Sequence, residues 1–228
     1  MDMDKAREQV LQAALAHVPF DGWSDATLTA AVQDAGLSPG LGRVLYPRGG
    51  VDLALAYHAL GDAQMVARLA AEDLSALRFR DRIGHAVRRR LDLADRELVR
   101  RGTTLFSLPQ NAADGARAIW GTADAIWTAL GDSSDDVNWY SKRATLAAVH
   151  GATVLFWLGD DSDGHQATWD FLDRRLDQVM QIEKLKAGFR NTTLGKAFMA
   201  GPGKLLASIH APQRRNVQPM GGTDTGQK

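Results

Sequence analysis

Apolar residues recur at spacings of three and four along most of the chain, and no stretch alternates as a half-buried strand would. From Asp4 to Val18 the set Val10, Leu11, Ala14, Leu15 and Val18 marks one helical face, and Pro19 predicts its end. Ser24 is a good N-cap for a short second helix carrying Leu28, Ala31, Val32 and Ala35, which Gly36 should stop. Ser38-Pro39 reads as N-cap plus first-turn proline of a third helix that ends near Pro47. Short helices joined by a glycine turn form the pattern of a helix-turn-helix unit. A longer helix is predicted from Val51 to about Leu77. After the Leu108-Pro109 break, Ala116, Ile119, Trp120, Ala123, Ile126, Trp127 and Leu130 form a broad stripe. Ala144 to Leu158 is apolar almost all round, which predicts a central position in a bundle. Thr168 to Ile182 returns to amphipathic spacing, with GDDSDG at residues 159–164 as the preceding loop. The expected fold class is all-α: an N-terminal helix-turn-helix-like unit and a C-terminal helical bundle.

Charge adds an asymmetry to this pattern. The formal net charge is zero over 228 residues, yet Lys184 to Lys228 holds eight Lys or Arg against one acid, leaving the remainder at −7. A basic end on an acidic body suits a negatively charged partner, such as an anionic membrane surface or nucleic acid. Within that end, Leu194, Lys196, Phe198, Lys204, Leu205, Leu206 and Ile209 combine apolar and basic character, as an interfacial helix does, although Gly201-Pro202-Gly203 interrupts it. The chain therefore divides into a three-helix unit at 1–50, a bundle at 51–187, a membrane-associating segment at 188–211 and a disordered tail at 212–228. The opening MDMDKAREQV lacks the apolar region of a secretory signal. No run approaches the roughly 18 apolar residues of a spanning helix, so membrane contact is expected to be peripheral.

Candidate chemistry is sparse, and neither catalysis nor a cofactor or metal is expected. There are no cysteines, and none of the four glutamates has a histidine three residues on, as a di-iron bundle would require. Zinc-protease, nucleophile-elbow and phosphate-loop motifs are missing. His150, on an apolar helix, reads as a hydrogen-bonded core histidine. Asp160, Asp161 and Asp163 do not have calcium-loop spacing. The arginine-dense stretch from Arg78 to Arg101 is interleaved with acids and reads as a solvated, ion-paired face. The would-be recognition helix, PGLGRVLY at 39–46, offers Arg43 as its single charged side chain. Base readout needs more, so specific DNA binding is not expected. At DDVNWYSKR, residues 135–143, cap oxygens place Trp139 and Tyr140 near a helix end, where Arg143 can share their patch.

Two resemblances extend this reading. The order helix, GLS turn, short helix, aromatic and proline, then long helix is similar to TetR-type regulators. More specifically, LPQN at 108–111, DVNWYSKRATLAAV at 136–149 and TWDFLDRRLDQVM at 168–180, with LQAALAHVPFDGW at 11–23, resemble the ubiquinone-biosynthesis accessory family, the ninth Coq protein. That resemblance implies a TetR-type fold, an isoprenoid or quinone lipid in the C-terminal bundle, a homodimer, and a non-catalytic role beside the di-iron demethoxyubiquinone hydroxylase. It also implies that Asp136, Trp139, Tyr140 and Arg143 dock the hydroxylase and that the terminal region meets the membrane. The expected location is the cytoplasmic side of a bacterial inner membrane, matching the mitochondrial matrix side in eukaryotic relatives. Candidate lipid-lining residues are Leu105, Ile119, Trp120, Ile126, Leu146, Val149, Phe156, Trp169 and Leu172. The alternative is a ligand-responsive transcription regulator of TetR type.

Overall fold

The computed structural model describes residues 2–191 and Ala211, with side chains over 2–181 and at Ala211. Among these residues there are no strands. The helices run α1 Met3–Asp21, α2 Asp25–Asp34, α3 Pro39–Leu45, α4 Gly50–Ala71, α5 Phe79–Asp92, α6 Arg96–Phe106, α7 Ala112–Ala129, α8 Val137–Leu158 and α9 Gln166–Asn191, with a short 3₁₀ turn at Asp163–His165. The fold class is the all-α one that the helical periodicity and the order of the elements predict.

The caps explain where the N-terminal helices begin. Ser24 Oγ accepts from Thr27 N at 3.2 Å and Ser38 Oγ from Leu41 N at 3.3 Å, so each helix opens on a satisfied amide. Gly36 closes α2 at a φ of +65°, a conformation that favours glycine. Where α3 crosses α2, a Cβ on Gly42 would sit 2.5 Å from Val32 Cγ2, so the close crossing demands a residue without a side chain. Val10, Ala14, Val18, Leu28, Ala31, Leu45 and Leu53 are buried together, and Leu98 of α6 joins them. Pro19 does not stop α1. A proline removes only its own amide bond, and the helix continues to Asp21, where Gly22 N bonds Val18 O at 2.9 Å.

The larger core gathers Met65, Leu69, Ile83, Val87, Ile126, Leu146 and Leu172 from α4, α5, α7, α8 and α9. Two expectations change here. Helix α4 ends at Ala71 rather than running to Leu77, because Asp73 accepts from Ser75 N and Arg82 holds the carbonyls of Ser75 and Leu77 in a turn. Helix α8 is not central throughout, since Leu155 is 62% exposed and Phe156, 38% exposed, stacks on Phe171 with centroids 4.6 Å apart. The acids after α8 serve as a cap: Asp160 accepts from Thr168 N, Thr168 Oγ1 and Ser162 N, and these bonds hold its carboxyl well below the usual range.

One buried ion pair ties three helices together. Arg90 Nε of α5 donates to Asp62 Oδ1 of α4 at 2.6 Å, and Nη2 donates to the His58 carbonyl at 3.1 Å. Thr122 Oγ1 of α7 lies 3.0 Å from each Asp62 oxygen. A Cβ on Gly61 would stand 2.6 Å from the Arg90 guanidinium, so the glycine leaves room for that side chain to lie against α4. Removing one member strands the other in a low-dielectric interior. Arg90→Ala should therefore cost about 3–5 kcal/mol in denaturant unfolding, while the double replacement Asp62→Leu with Arg90→Met should recover much of it. Equal losses in the single and double variants would show that the pair does not act as a unit.

Candidate ligand cavity and partner surface

Helices α4 to α8 enclose a cavity of about 420 Å³. Its inner wall is Ala54, Tyr57 and His58 of α4 with Arg90 and Leu91 of α5, and Trp23 closes one side from the N-terminal unit. Its rim is formed by Ser107, Ala112, Ala116 and Leu155, all exposed. Small residues make the space: Gly102, Gly115, Ala116, Ala118 and Gly151 stand on faces where larger side chains would fill it. The wall is predominantly apolar, as a lipid or other hydrophobic ligand requires, and the volume lies in the usual range for small-molecule sites.

The polar groups at the inner end are held neutral or paired. Burial lowers the pKa of His58 against the opposing pull of Asp62. Burial, with Arg90 and His58 nearby, pushes His150 down to about 3. His150 is buried, as its apolar helix suggests, and its Nδ1 has no partner among the described residues. Trp23 Nε1 donates to the Leu98 carbonyl at 3.0 Å, which fixes the wall that crosses between the two cores.

Of the nine candidate lining residues, Ile119 borders this cavity. Ile126, Leu146, Val149, Trp169 and Leu172 instead fill the larger core, and Leu105 packs against the N-terminal one. Phe156 stacks on Phe171, and Trp120 faces Trp139 with centroids 6.0 Å apart. The physical reason is general: a stripe of large apolar residues marks where space is filled. The residues missed, Gly102, Gly151, His58 and Arg90, are small or polar, and the signal that could have found them is glycine recurring on amphipathic helices.

At the start of α8 the structure brings Asp136, Trp139, Tyr140 and Arg143 close together, but in different roles. Asp136 caps the helix by accepting from Asn138 N at 2.9 Å. Tyr140 is exposed and meets Trp139 edge-on at 4.8 Å. Arg143 is fully buried, which corrects its assignment to a contact patch. Its Nε donates to Asp124 Oδ1 at 2.5 Å, Nη1 donates to Asp132 Oδ2 at 3.0 Å, and the guanidinium lies 4.0 Å under the Trp139 ring. Desolvation would raise the Asp132 carboxyl, but hydrogen bonds from Lys142, Ser134 and Arg143 bring it down to about 2. Arg143 thus props the aromatic pair from beneath.

The remaining candidates fall elsewhere. Arg43 forms a surface pair with Asp25 at 2.9 Å, and Arg48 binds Asp52 and Asp114, so these cations already have anionic partners. Leu194, Lys196, Phe198, Lys204, Leu205, Leu206 and Ile209 lie outside the described residues, while Ala211 N bonds Asp135 O at 2.7 Å. Among the described residues no helix is long and apolar enough to cross a membrane, and no group of three or more His, Asp or Glu could hold a metal ion.

The COQ9 family model matches residues 112–183, which span α7, α8 and much of α9. The chain is 30% identical to the mitochondrial ubiquinone biosynthesis protein COQ9 of Drosophila melanogaster over 189 residues, 80% of this chain and 58% of that protein. It is 29% identical to the Rattus norvegicus protein of that name over 87% of this chain and 65% of the relative, and 26% identical to the Homo sapiens one over 87% and 64%. The chain thus spans about three-fifths of the length of these relatives. A solved TetR transcriptional regulator from Nitrosomonas europaea superposes with a TM-score of 0.61 at 19% identity, covering 75% of this chain and 96% of that one, which establishes a shared fold.

The unprotonated His150 makes stability depend on pH. In the unfolded chain a histidine takes up its proton near pH 6.5, whereas folded His150 stays neutral down to about 3. The unfolded state therefore binds more protons in that window, and stability present above 6.5 is lost as the pH falls toward 3. At pH 5 the loss from His150 is about 2 kcal/mol. The midpoint of thermal unfolding should fall between pH 7 and pH 5, and His150→Leu should shrink that fall. An unchanged pH dependence in the variant would show that His150 is not the group responsible.

Proposed function

We propose that this chain, which resembles the COQ9 ubiquinone biosynthesis proteins over most of its length, serves ubiquinone biosynthesis as a lipid-binding accessory rather than as a catalyst. The observation that carries the reading is the apolar cavity whose outer wall is built from α7 and α8, inside the segment that matches the family. An isoprenoid or quinone lipid occupies that cavity and is presented to the di-iron demethoxyubiquinone hydroxylase at a membrane. The basic C-terminal end, net +7 from Lys184 onward, draws the protein to an anionic surface at about 1 kcal/mol per cation. A second copy covers the open apolar face formed by Leu155, Phe156 and Phe171, giving a homodimer.

Trp139 and Tyr140 form the contact for the hydroxylase. They are aromatic, adjacent and held in place by a buried arginine, and aromatic anchors of this kind dominate binding hot spots. The regulator reading rests on fold likeness alone, and Arg43, the single cation of α3, is engaged with Asp25.

Two experiments test the proposal. Mass spectrometry of solvent extracts from the purified protein should identify an isoprenoid or quinone lipid. Gly151→Phe should remove it while preserving the fold, because a Cβ at Gly151 meets nothing closer than Ile119 at 3.7 Å and the larger ring then projects into free volume. Wild-type protein without such a lipid would overturn the cavity assignment. For the surface, Tyr140→Ala should leave the unfolding midpoint nearly unchanged and weaken capture of the hydroxylase by at least 2 kcal/mol, whereas Arg143→Ala should destabilise the fold itself by about 3–5 kcal/mol. Full hydroxylase binding by Tyr140→Ala would place the contact elsewhere.

A further inference from the structure

The turn between α4 and α5 leaves apolar side chains in water although it is built to hold still. Leu77 is 36% exposed and Phe79 45% exposed, and Arg78 between them reaches into solvent. Phe79 rests on Trp127 of α7 with ring centroids 5.5 Å apart, so it is presented from a firm base. The backbone of the turn is satisfied from within: Leu77 N bonds Leu74 O, Ser75 N bonds Asp73 Oδ1, and Arg82 donates to the carbonyls of Ser75 and Leu77. The Arg78 carbonyl accepts from Asp81 N and Arg82 N. A segment whose amides and carbonyls do not need water can enter a layer poor in water without leaving them unpaired.

What meets this turn follows from where the basic end leaves the fold. Helix α9 runs antiparallel to α5, because Arg88 lies over Trp169 whereas Arg80, earlier in α5, pairs with Asp177. Lys184 is then about 10 Å further along α9, beyond the start of α5. Ala211 N bonds Asp135 O just before α8, and Trp127 Nε1 donates to the Lys142 carbonyl in the first turns of that helix, so residue 211 stands at the same end of the bundle. Between these points the chain carries Lys184, Lys186, Arg190, Lys196 and Lys204 and no acid. The turn itself is balanced, with Glu72, Asp73 and Asp81 against Arg78, Arg80 and Arg82. Charge and apolar area thus come from different segments at one end of the bundle. Reversible attachment to a bilayer combines such signals, since one alone gives marginal binding.

We propose that Leu77 and Phe79 enter the headgroup layer of an anionic bilayer and set the bundle upright on it, with α4 leading away from the surface. The inference rests on the membrane reading above and adds an apolar anchor in the folded body. Arg78 suits the position between them, because its long stem keeps the guanidinium among phosphates while its neighbours insert. A folded protein is the poorer occupant: a stable interface takes about 800 Å² from each partner, whereas a bilayer accepts isolated side chains. The 22 residues of α4 span about 33 Å, which holds the N-terminal unit well clear of the lipid.

The chain has no cysteine, so one introduced thiol can carry an environment-sensitive fluorophore. Leu77→Cys in the full chain, labelled with nitrobenzoxadiazole, should brighten and shift to the blue when mixed phosphatidylcholine–phosphatidylglycerol vesicles are added. Val44→Cys, exposed on α3 at the opposite end of α4, should not change. Leu77→Ser with Phe79→Ser should weaken vesicle binding about tenfold in co-sedimentation, and Leu77→Ser alone about threefold should the double change disturb Trp127. Vesicle binding with an unchanged signal at residue 77 would overturn the anchor and leave attachment by the basic end standing. A signal that appears without vesicles, on concentrating the protein or on adding the hydroxylase, would make the turn a protein contact and overturn the anchor as well. If the full chain binds no vesicles, the membrane reading and the anchor fail together.

Discussion

The Arg90–Asp62 pair is the constraint on which the rest of the C-terminal half depends. A guanidinium and a carboxylate removed from water must satisfy one another, and here they do so with the help of the His58 carbonyl and the Thr122 hydroxyl. Those four groups come from α4, α5 and α7, so the helices cannot slide past one another without breaking charge-assisted bonds in the interior. Two of these residues, His58 and Arg90, also line the inner wall of the cavity. Rigidity and enclosure therefore have one source. A cavity lined by glycine and alanine would be expected to collapse onto smaller volume, and a polar frame that cannot be compressed without loss of hydrogen bonds resists that collapse.

What the sequence made legible follows from what each signal measures. Serine caps, a glycine with positive φ and periodic apolar positions act locally, so Ser24, Ser38 and Gly36 mark their helix ends correctly. Pro19 misleads because a proline near a helix terminus forfeits one bond rather than the remaining turn. The site is harder to read. Apolar stripes report occupied volume, so Leu146 and Leu172 lie in the core while the empty volume is bordered by Gly102 and Gly151, which contribute little to any hydropathy pattern. Arg143 was misplaced for a related reason: sequence shows that a cation lies one turn from Trp139 but not that Asp124 and Asp132 await it inside.

The two surfaces of this half use charge in opposite ways. Along α5 and α6, arginines meet aspartates and glutamates at the surface, as with Arg78 and Asp81 or Arg100 and Glu97, and such exposed pairs add little to stability. At the start of α8 the arginine is buried and its partners hold it beneath an aromatic ring. The first arrangement keeps a face solvated. The second holds Trp139 in one orientation, so its ring has little conformational freedom left to lose.

Trp23 gives the N-terminal unit a duty other than reading a nucleic acid. Its indole is fixed to the Leu98 carbonyl and stands in the cavity wall, 5.4 Å from Tyr57 by ring centroids. The three-helix unit and the bundle are consequently not separable modules. Removing the N-terminal unit, residues 1–50, would unroof the chamber and expose Leu98 and Ala54 to water, trading an enclosed pocket for an adhesive groove. A helix-turn-helix-like scaffold thus has a duty as masonry in this chain, one that depends on Trp23 and not on the side chains of α3.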